Sequence, residues 1–201
     1  MIRNSIFILG GYLCGSILFA RIFGVLVAKK DITEGTSDEN PGTANAFLIG
    51  GFWCGLLTLI CELMKGFLPV FLYMYGEPPK DALAFVLAAP VVGHVFPLFF
   101  HFRGGKGIAV SFGCLLGLLP NLFPALLLAL FFIFFSVGLR ISPNYYRTLA
   151  AYIGTEIAML FFSRSPSVLI GFSLIFGVVL FRMLASREVK EPLKVGLMWK
   201  R

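Results

Sequence analysis

Seven apolar stretches dominate this chain, at residues 5–28, 46–75, 82–100, 108–119, 122–139, 149–162 and 167–184. A helix needs ~20 mostly apolar residues to cross the hydrocarbon core of a bilayer. Inside lipid, backbone N–H and C=O groups must be satisfied within the segment, which leaves the helix as the form for isolated runs of this length. A water-soluble reading fails on composition: 58% of the 201 residues are hydrophobic and 13% are charged, against about a quarter charged in soluble domains. The sequence predicts an all-α integral membrane protein, with residues 1–201 forming a single transmembrane domain of about seven transmembrane helices. The first stretch exceeds the ~7–15 residues of a cleavable signal core and lacks a small-x-small site, so it reads as a retained span. Pro120-Asn121 is a turn signal that divides the long run from 108 to 139 into a short helix and a full one.

The basic residues orient these spans, because cytoplasmic loops carry excess Lys and Arg. With the N-terminus outside and seven crossings, twelve basic residues fall inside: Lys29, Lys30, Arg103, Lys106, Arg140, Arg147 and six in the tail from Arg182 onward. Only Arg3, Lys80 and Arg164 fall outside. Six spans would move Arg140 and Arg147 outside. The reading is therefore a multi-pass membrane protein with a cytoplasmic C-terminus, and the net charge of +7 reflects loop bias rather than a nucleic-acid surface. Cys14, Cys54, Cys61 and Cys114 all lie within apolar runs, as polarizable filler rather than a metal or redox site.

Three places interrupt the apolar pattern. Thr36–Asn45 is rich in hydroxyl and amide groups and reads either as a site loop or as a solvated loop ending in an Asn helix cap. Glu62 and Lys65 stand i, i+3 on one helix face, where ionisable groups are costly and mark a site or a structural ion pair. Gly66 and Pro69 follow at once and are expected to loosen or kink that helix. The third runs Gly93-His94-Val95-Phe96-Pro97, then His101-Phe102-Arg103-Gly104-Gly105-Lys106-Gly107 at the start of an apolar helix. Glycines allow close backbone approach, and a helix N-terminus offers free N–H groups to an anion. Arg103 and Lys106 add charge, and Ser111 adds a hydroxyl one turn in, so this segment reads as a phosphate cradle. The G-x-x-x-x-G-K spacing of a Walker loop is absent. The plainer alternative is a tight basic turn obeying the positive-inside rule. Lys65, His94, Asn45 and the Gly104–Gly107 turn are expected to converge on one cytoplasm-facing pocket.

The run from Gly93 to Ala109 resembles the central motif of the bacterial acyl-phosphate:glycerol-3-phosphate acyltransferases. Glu62-x-x-Lys65-Gly66 is similar to that family's Asp-x-x-Lys-Gly, and Asn40-Pro41-Gly42-Thr43-Ala44-Asn45 to its first loop. Gly15-Ser16 matches the usual Gly-Ser of span one. The resemblance covers most of the chain. It implies a seven-helix fold with a cytoplasmic site, which moves a fatty acyl group from acyl-phosphate to glycerol 3-phosphate and yields lysophosphatidate for phospholipid synthesis. Acyl-phosphate is already activated, so no cofactor or metal is implied. Asp38 and His94 are the candidate catalytic bases. Asn40, Asn45, Lys65, Arg103, Gly104, Gly105, Lys106, Gly107 and Ser111 are the candidate phosphate-binding residues.

The chain also departs from the pattern. Asp38 stands where the family has Ser, the stretch after Asn45 is apolar where an Arg is expected, and no histidine follows His101. The family's C-terminal His-x-x-Asn motif is therefore missing. Two other classes stay open: a diverged member that binds a phosphorylated lipid precursor without this catalysis, and a small transporter, which should show paired broken helices in two related halves.

Overall fold

The computed structural model describes residues 2–36, 38–75, 82–186 and 191–197. Ser37, Lys80 and the tail positions Arg187, Lys190, Lys200 and Arg201 lie outside the described residues. Each of the seven apolar stretches is helical. The first holds α1 (Ile2–Gly15), a break at residues 16–18, α2 (Phe19–Phe23) and a π-helical turn at Gly24–Ala28. The others form α3 (Thr43–Met74), α4 (Leu83–Val95) with a 3₁₀ turn at Leu98–Phe100, α5 (Ile108–Leu116), α6 (Phe123–Ile133), which passes into a π-helical turn at Phe134–Gly138, α7 (Asn144–Phe162) and α8 (Pro166–Leu184). Among the described residues four segments are long and apolar enough to cross a membrane: Ile2–Ala28, Thr43–Met74, Leu83–Phe100 and Pro166–Leu184. Two short strands, β1 (Leu139–Ser142) and β2 (Lys194–Leu197), pair antiparallel with Leu139 opposite Leu197. This ribbon, whose strands are only four residues each, is not among the elements expected from the sequence.

Lipid does not drive helices together by the hydrophobic effect, so tight packing relies on small residues that let backbones meet. Two such seams organise the molecule. Along the first, α1 lies on α4: a Cβ on Gly15 would strike the Pro90 carbonyl, and one on Gly93 would strike the Tyr12 carbonyl. Along the second, α3 lies on α5: a Cβ on Gly66 would meet the Val110 carbonyl, and one on Gly113 the Leu63 carbonyl. Helix α8 closes over α4, with Leu87, Phe172 and Ile175 in the shared core. Leu48, Phe161 and Leu126 face outward, as a lipid-facing surface requires.

The expected kink near Gly66 and Pro69 is not there. Helix α3 runs through Pro69, and its one non-helical residue is Gly51, at φ 81° and ψ −178°. Gly66 instead serves the close approach of α5. At the far end of α3, the Arg3 guanidinium donates to the carbonyls of Tyr73 and Tyr75 at 2.9 and 2.8 Å, placing a cation on the open carbonyls of a helix C-terminus.

Gly66→Ala is expected to destabilise the protein by about 1–3 kcal/mol, the usual effect of overpacking, because its methyl meets backbone that cannot rotate away. Gly10→Ala, with nothing within 4 Å of the new methyl, should be neutral. Thermal unfolding in detergent compares the two, and equal midpoints would remove the α3–α5 seam as a determinant of packing.

Candidate active site

The break in the first span and the charged pair in α3 answer one another. Residues 16–18 leave helical geometry, with Leu18 at φ −92° and ψ 86°, which frees the Ile17 carbonyl. The Lys65 ammonium donates to that carbonyl at 2.6 Å. It also lies 2.8 Å from Glu62 Oε2 and 3.0 Å from His94 Nδ1. Glu62 Oε2 is itself 3.0 Å from His94 Nδ1. All three residues are at most 3% exposed, so each charge is held by protein partners rather than water. Glu62 Oε1 is buried and has no hydrogen-bond partner among the described residues.

The Gly-rich turn sits directly on this cluster. Gly105 N–H donates to the His94 carbonyl and Gly104 N–H to the Val95 carbonyl, both at 3.2 Å. A Cβ on Gly105 would run into His94 Nε2, so only glycine lets the turn lie against the ring. Gly107 adopts φ 80° as the N-cap of α5, a conformation that favours glycine. No side chain caps α5, which leaves its first-turn N–H groups facing the cavity described below.

The loop before α3 closes the site from the other side. Asp38 Oδ2 receives the Lys106 ammonium at 2.9 Å. Its Oδ1 accepts from Asn45 Nδ2 at 2.9 Å and from Asn40 N–H at 3.3 Å. Asn40 Oδ1 accepts the Lys106 backbone N–H at 3.1 Å. The helix-cap reading of Asn45 is corrected: α3 begins two residues earlier, at Thr43, with Gly42 as N-cap. The Asn45 amide folds back onto Thr36 Oγ1 and the Asn40 carbonyl as well as Asp38, tying the loop to the helix.

These elements enclose a cavity of about 320 Å³, lined by Asp38, Asn40, Glu62, His94, Lys106 and the Gly107–Val110 start of α5, among others. His94, Lys106 and Gly107 line this cavity, while Asn45, Gly105 and Lys65 are joined to its walls through Asp38, His94 and Glu62. Three candidate phosphate ligands stand elsewhere. Lys65 is not in the cavity wall, because its ammonium is taken up by Glu62, His94 and Ile17. Ser111 is fully buried and spends its hydroxyl on the Gly107 carbonyl at 2.9 Å. Arg103 is exposed and turns to a different cavity. The guanidinium that does reach the turn is that of Arg182, near the end of α8, which donates to the Gly104 carbonyl through Nε at 3.2 Å and Nη2 at 3.0 Å. The charge pattern could not single it out, because it looks like any other basic residue closing a span. Among the described residues no three His, Cys, Asp or Glu side chains gather as a metal site.

The family model for glycerol-3-phosphate acyltransferase matches residues 5–191. A relative of that name from Azotobacter vinelandii is 36% identical over 174 residues, which are 85% of this chain and 87% of the relative. One from Glaesserella parasuis is 45% identical over 109 residues, 54% of this chain and 53% of the relative. The chain spans about half the length of the first curated relatives it matches. The crystal structure of PlsY (YgiH), an integral membrane glycerol 3-phosphate acyltransferase, in its glycerol 3-phosphate form superposes with a TM-score of 0.72 at 27% identity, covering 89% of this chain and 87% of that one. The lysophosphatidic acid form gives 0.73 at 26% identity over the same shares.

Asp38 lies in the loop outside the spans and titrates under opposing influences. Burial raises its pKa, but hydrogen bonds from Asn45 and Lys106, the Lys106 charge and the Asn40 N–H together outweigh burial and hold it below the usual carboxylate value. A depressed carboxyl pKa contributes stability that is fully present above the unfolded value of about 3.9 and is lost as pH falls through the lower folded value. The stability difference between wild type and Asp38→Asn should therefore be present at neutral pH and disappear in acid. Solvent screening limits it to about 1 kcal/mol. Paired pH titrations of thermal stability measure it, and a difference that grows in acid would contradict the ion pair.

Proposed function

We propose that this chain, which belongs to the glycerol-3-phosphate acyltransferase family, transfers a fatty acyl group from acyl-phosphate to a hydroxyl of glycerol 3-phosphate and releases lysophosphatidate into the bilayer. The observation that carries this reading is the junction of Lys106 and the open N-terminus of α5 with a buried histidine in one cavity. Lys106 and the α5 N–H groups bind substrate phosphate by charge and by aligned donors. The same donors steady the carbonyl oxygen as it becomes an oxyanion. The glycerol hydroxyl oxygen attacks the acyl carbon, the bond from that carbon to the phosphate oxygen breaks, and phosphate leaves with the electron pair.

His94 is suited to take the hydroxyl proton. With Glu62 ionised and Lys65 protonated, a neutral His94 keeps the buried cluster at zero net charge. If its Nδ1–H faces Glu62 Oε2, its Nε2 lone pair is left toward Gly105 and the cavity. The open Glu62 Oε1 is an acceptor for a second hydroxyl of the glycerol. Lys65 acts as a positioning residue, fixing Glu62 and His94 against the first span. Asp38 is the second candidate base, once an incoming phosphate draws Lys106 from it. Holding the reactants in this geometry contributes much of the rate enhancement when one of them is pre-activated.

The site requires its mouth at the cytoplasmic side of the bacterial inner membrane. We read the chain as seven spans, N-terminus outside, on the twelve-to-three distribution of basic residues. Single cysteines at Arg147 and Arg164 should then label from opposite faces, and labelling from one face would overturn this topology.

One observation favours a second reading, binding without turnover: the chain lacks a histidine after His101, and Lys106 is already paired with Asp38. Purified protein with palmitoyl-phosphate and glycerol 3-phosphate separates the two. Release of phosphate matched by lysophosphatidate is expected, whereas bound glycerol 3-phosphate without phosphate release would establish the second reading. A charge-assisted contact contributes about 1.5–3 kcal/mol, so Lys106→Ala should weaken glycerol 3-phosphate binding roughly tenfold to a hundredfold. Gly105→Ala should also impair it, by pushing the His94 ring. Full binding in Lys106→Ala and Lys106→Arg would reduce the turn to a structural corner.

A further inference from the structure

The first span and the loop after α4 enclose a second cavity, of about 560 Å³, lined by Arg21, Phe99, Phe100, His101 and Arg103. It lies beyond the Gly-rich turn from the candidate active site, since Arg103 immediately precedes Gly104. Its character is cationic and aromatic. Arg21 Nε is buried with no hydrogen-bond partner. Neither Arg21 nor Arg103 forms a hydrogen bond or ion pair with any described residue. The acidic neighbour whose field reaches Arg21 is Asp31, and its carboxylate is engaged by the Thr33 N–H at 2.9 Å and the Thr33 hydroxyl at 2.7 Å.

Buried donors are normally satisfied, and a guanidinium without an acceptor signals a ligand that supplies one. The backbone supports this. His101 and Phe102 both adopt positive φ, 53° and 58°, which costs free energy for residues with a Cβ and persists where surrounding structure holds it. The Phe102 N–H donates to the Pro97 carbonyl at 2.9 Å and the Arg103 N–H to the Phe100 carbonyl at 3.0 Å, fixing the turn that carries His101 and Arg103. The surroundings are apolar and open: Phe99 is 57% exposed, and Val25 and Leu26 in the turn after Arg21 are 65% and 70% exposed.

We propose that this cavity binds the phosphate headgroup of an anionic membrane lipid, with Arg21 and Arg103 as its ligands. Guanidinium groups match phosphate oxygens in a bidentate fork, and neither arginine is ion-paired with a described residue, since the Asp31 carboxylate near Arg21 is turned to Thr33. The exposed Phe99, Val25 and Leu26 suit the acyl region rather than water, which selects a lipid headgroup over free phosphate. The inference does not depend on the proposed acyl transfer, because the ligands lie outside the candidate active site.

The test uses full-length protein in nanodiscs, with bound lipid counted by native mass spectrometry after extraction into mild detergent. Wild type should retain phosphatidylglycerol in preference to phosphatidylcholine. Arg21→Gln and Arg103→Gln should each lower phosphatidylglycerol retention roughly tenfold, on the order of one lost charge-assisted contact, with phosphatidylcholine unchanged and thermal midpoints near wild type. Arg103 is exposed, so its variant should fold even if the Arg21 variant does not. Unchanged phosphatidylglycerol retention in Arg103→Gln would overturn the proposal. So would displacement of the lipid by millimolar inorganic phosphate alone, which would assign the cavity to a soluble ion.

Discussion

Everything at the candidate active site depends on how Lys65 is neutralised inside the protein. An ammonium buried in a protein interior needs both an opposite charge and a full set of acceptors. Glu62 supplies the charge one turn away. A further acceptor comes from the first span, as the Ile17 carbonyl, and the His94 ring of α4 lies 3.0 Å from the ammonium. The first span can present that carbonyl only by breaking its helix at residues 16–18. A free carbonyl at membrane depth would itself be costly without a donor. The break and the lysine are therefore one structural device, and it joins the first span, α3 and α4 at a single point.

The glycine seams make that point reachable. His94 follows Gly93, whose missing side chain brings α4 against the Tyr12 carbonyl of α1. On the opposite side, Gly66 next to Lys65 brings α5 against α3. The helix carrying the open N-terminus and the helix carrying the buried ion pair consequently pack backbone to backbone, and the Gly104–Gly107 turn has room only to lie on His94. The geometry of the cavity thus follows from the same small residues that let these helices associate in lipid.

Much of this architecture is legible in the sequence because bilayer thickness dictates the length of apolar runs. All seven runs are helical, and the motif residues Asp38, Asn40, Asn45, His94 and Gly104–Gly107 do meet. What the sequence hides is decided by distant contacts. The run from 5 to 28 is uniformly apolar and gives no hint of its break, because the stabilising Lys65 comes 48 positions later. Pro69 reads as a kink, yet the non-helical residue of α3 is Gly51. Arg103 and Arg182 are alike to a charge count. Only the packing of α8 over α4 decides that Arg182 reaches the Gly104 carbonyl while Arg103 faces away.

The site consequently has two electrostatic tiers with different freedom. The inner tier of Glu62, Lys65 and His94 is buried, and the fold supplies every partner of Lys65 while leaving Glu62 Oε1 without one. The outer tier holds Lys106 and Arg182 against a single carboxylate, Asp38, which leaves one net positive charge. The N-terminus of α5 adds about half a charge more. A phosphate dianion entering this tier more than compensates that charge if Asp38 remains ionised in place, so binding is favoured by movement of the Asp38 loop away from Lys106. That loop is held by amide hydrogen bonds from Asn45 and Asn40 rather than by apolar packing, and such bonds exchange with water at modest net cost. A serine at this position would offer Lys106 no charge to exchange. The carboxylate of Asp38 therefore makes access to the Lys106 ammonium depend on where that loop sits.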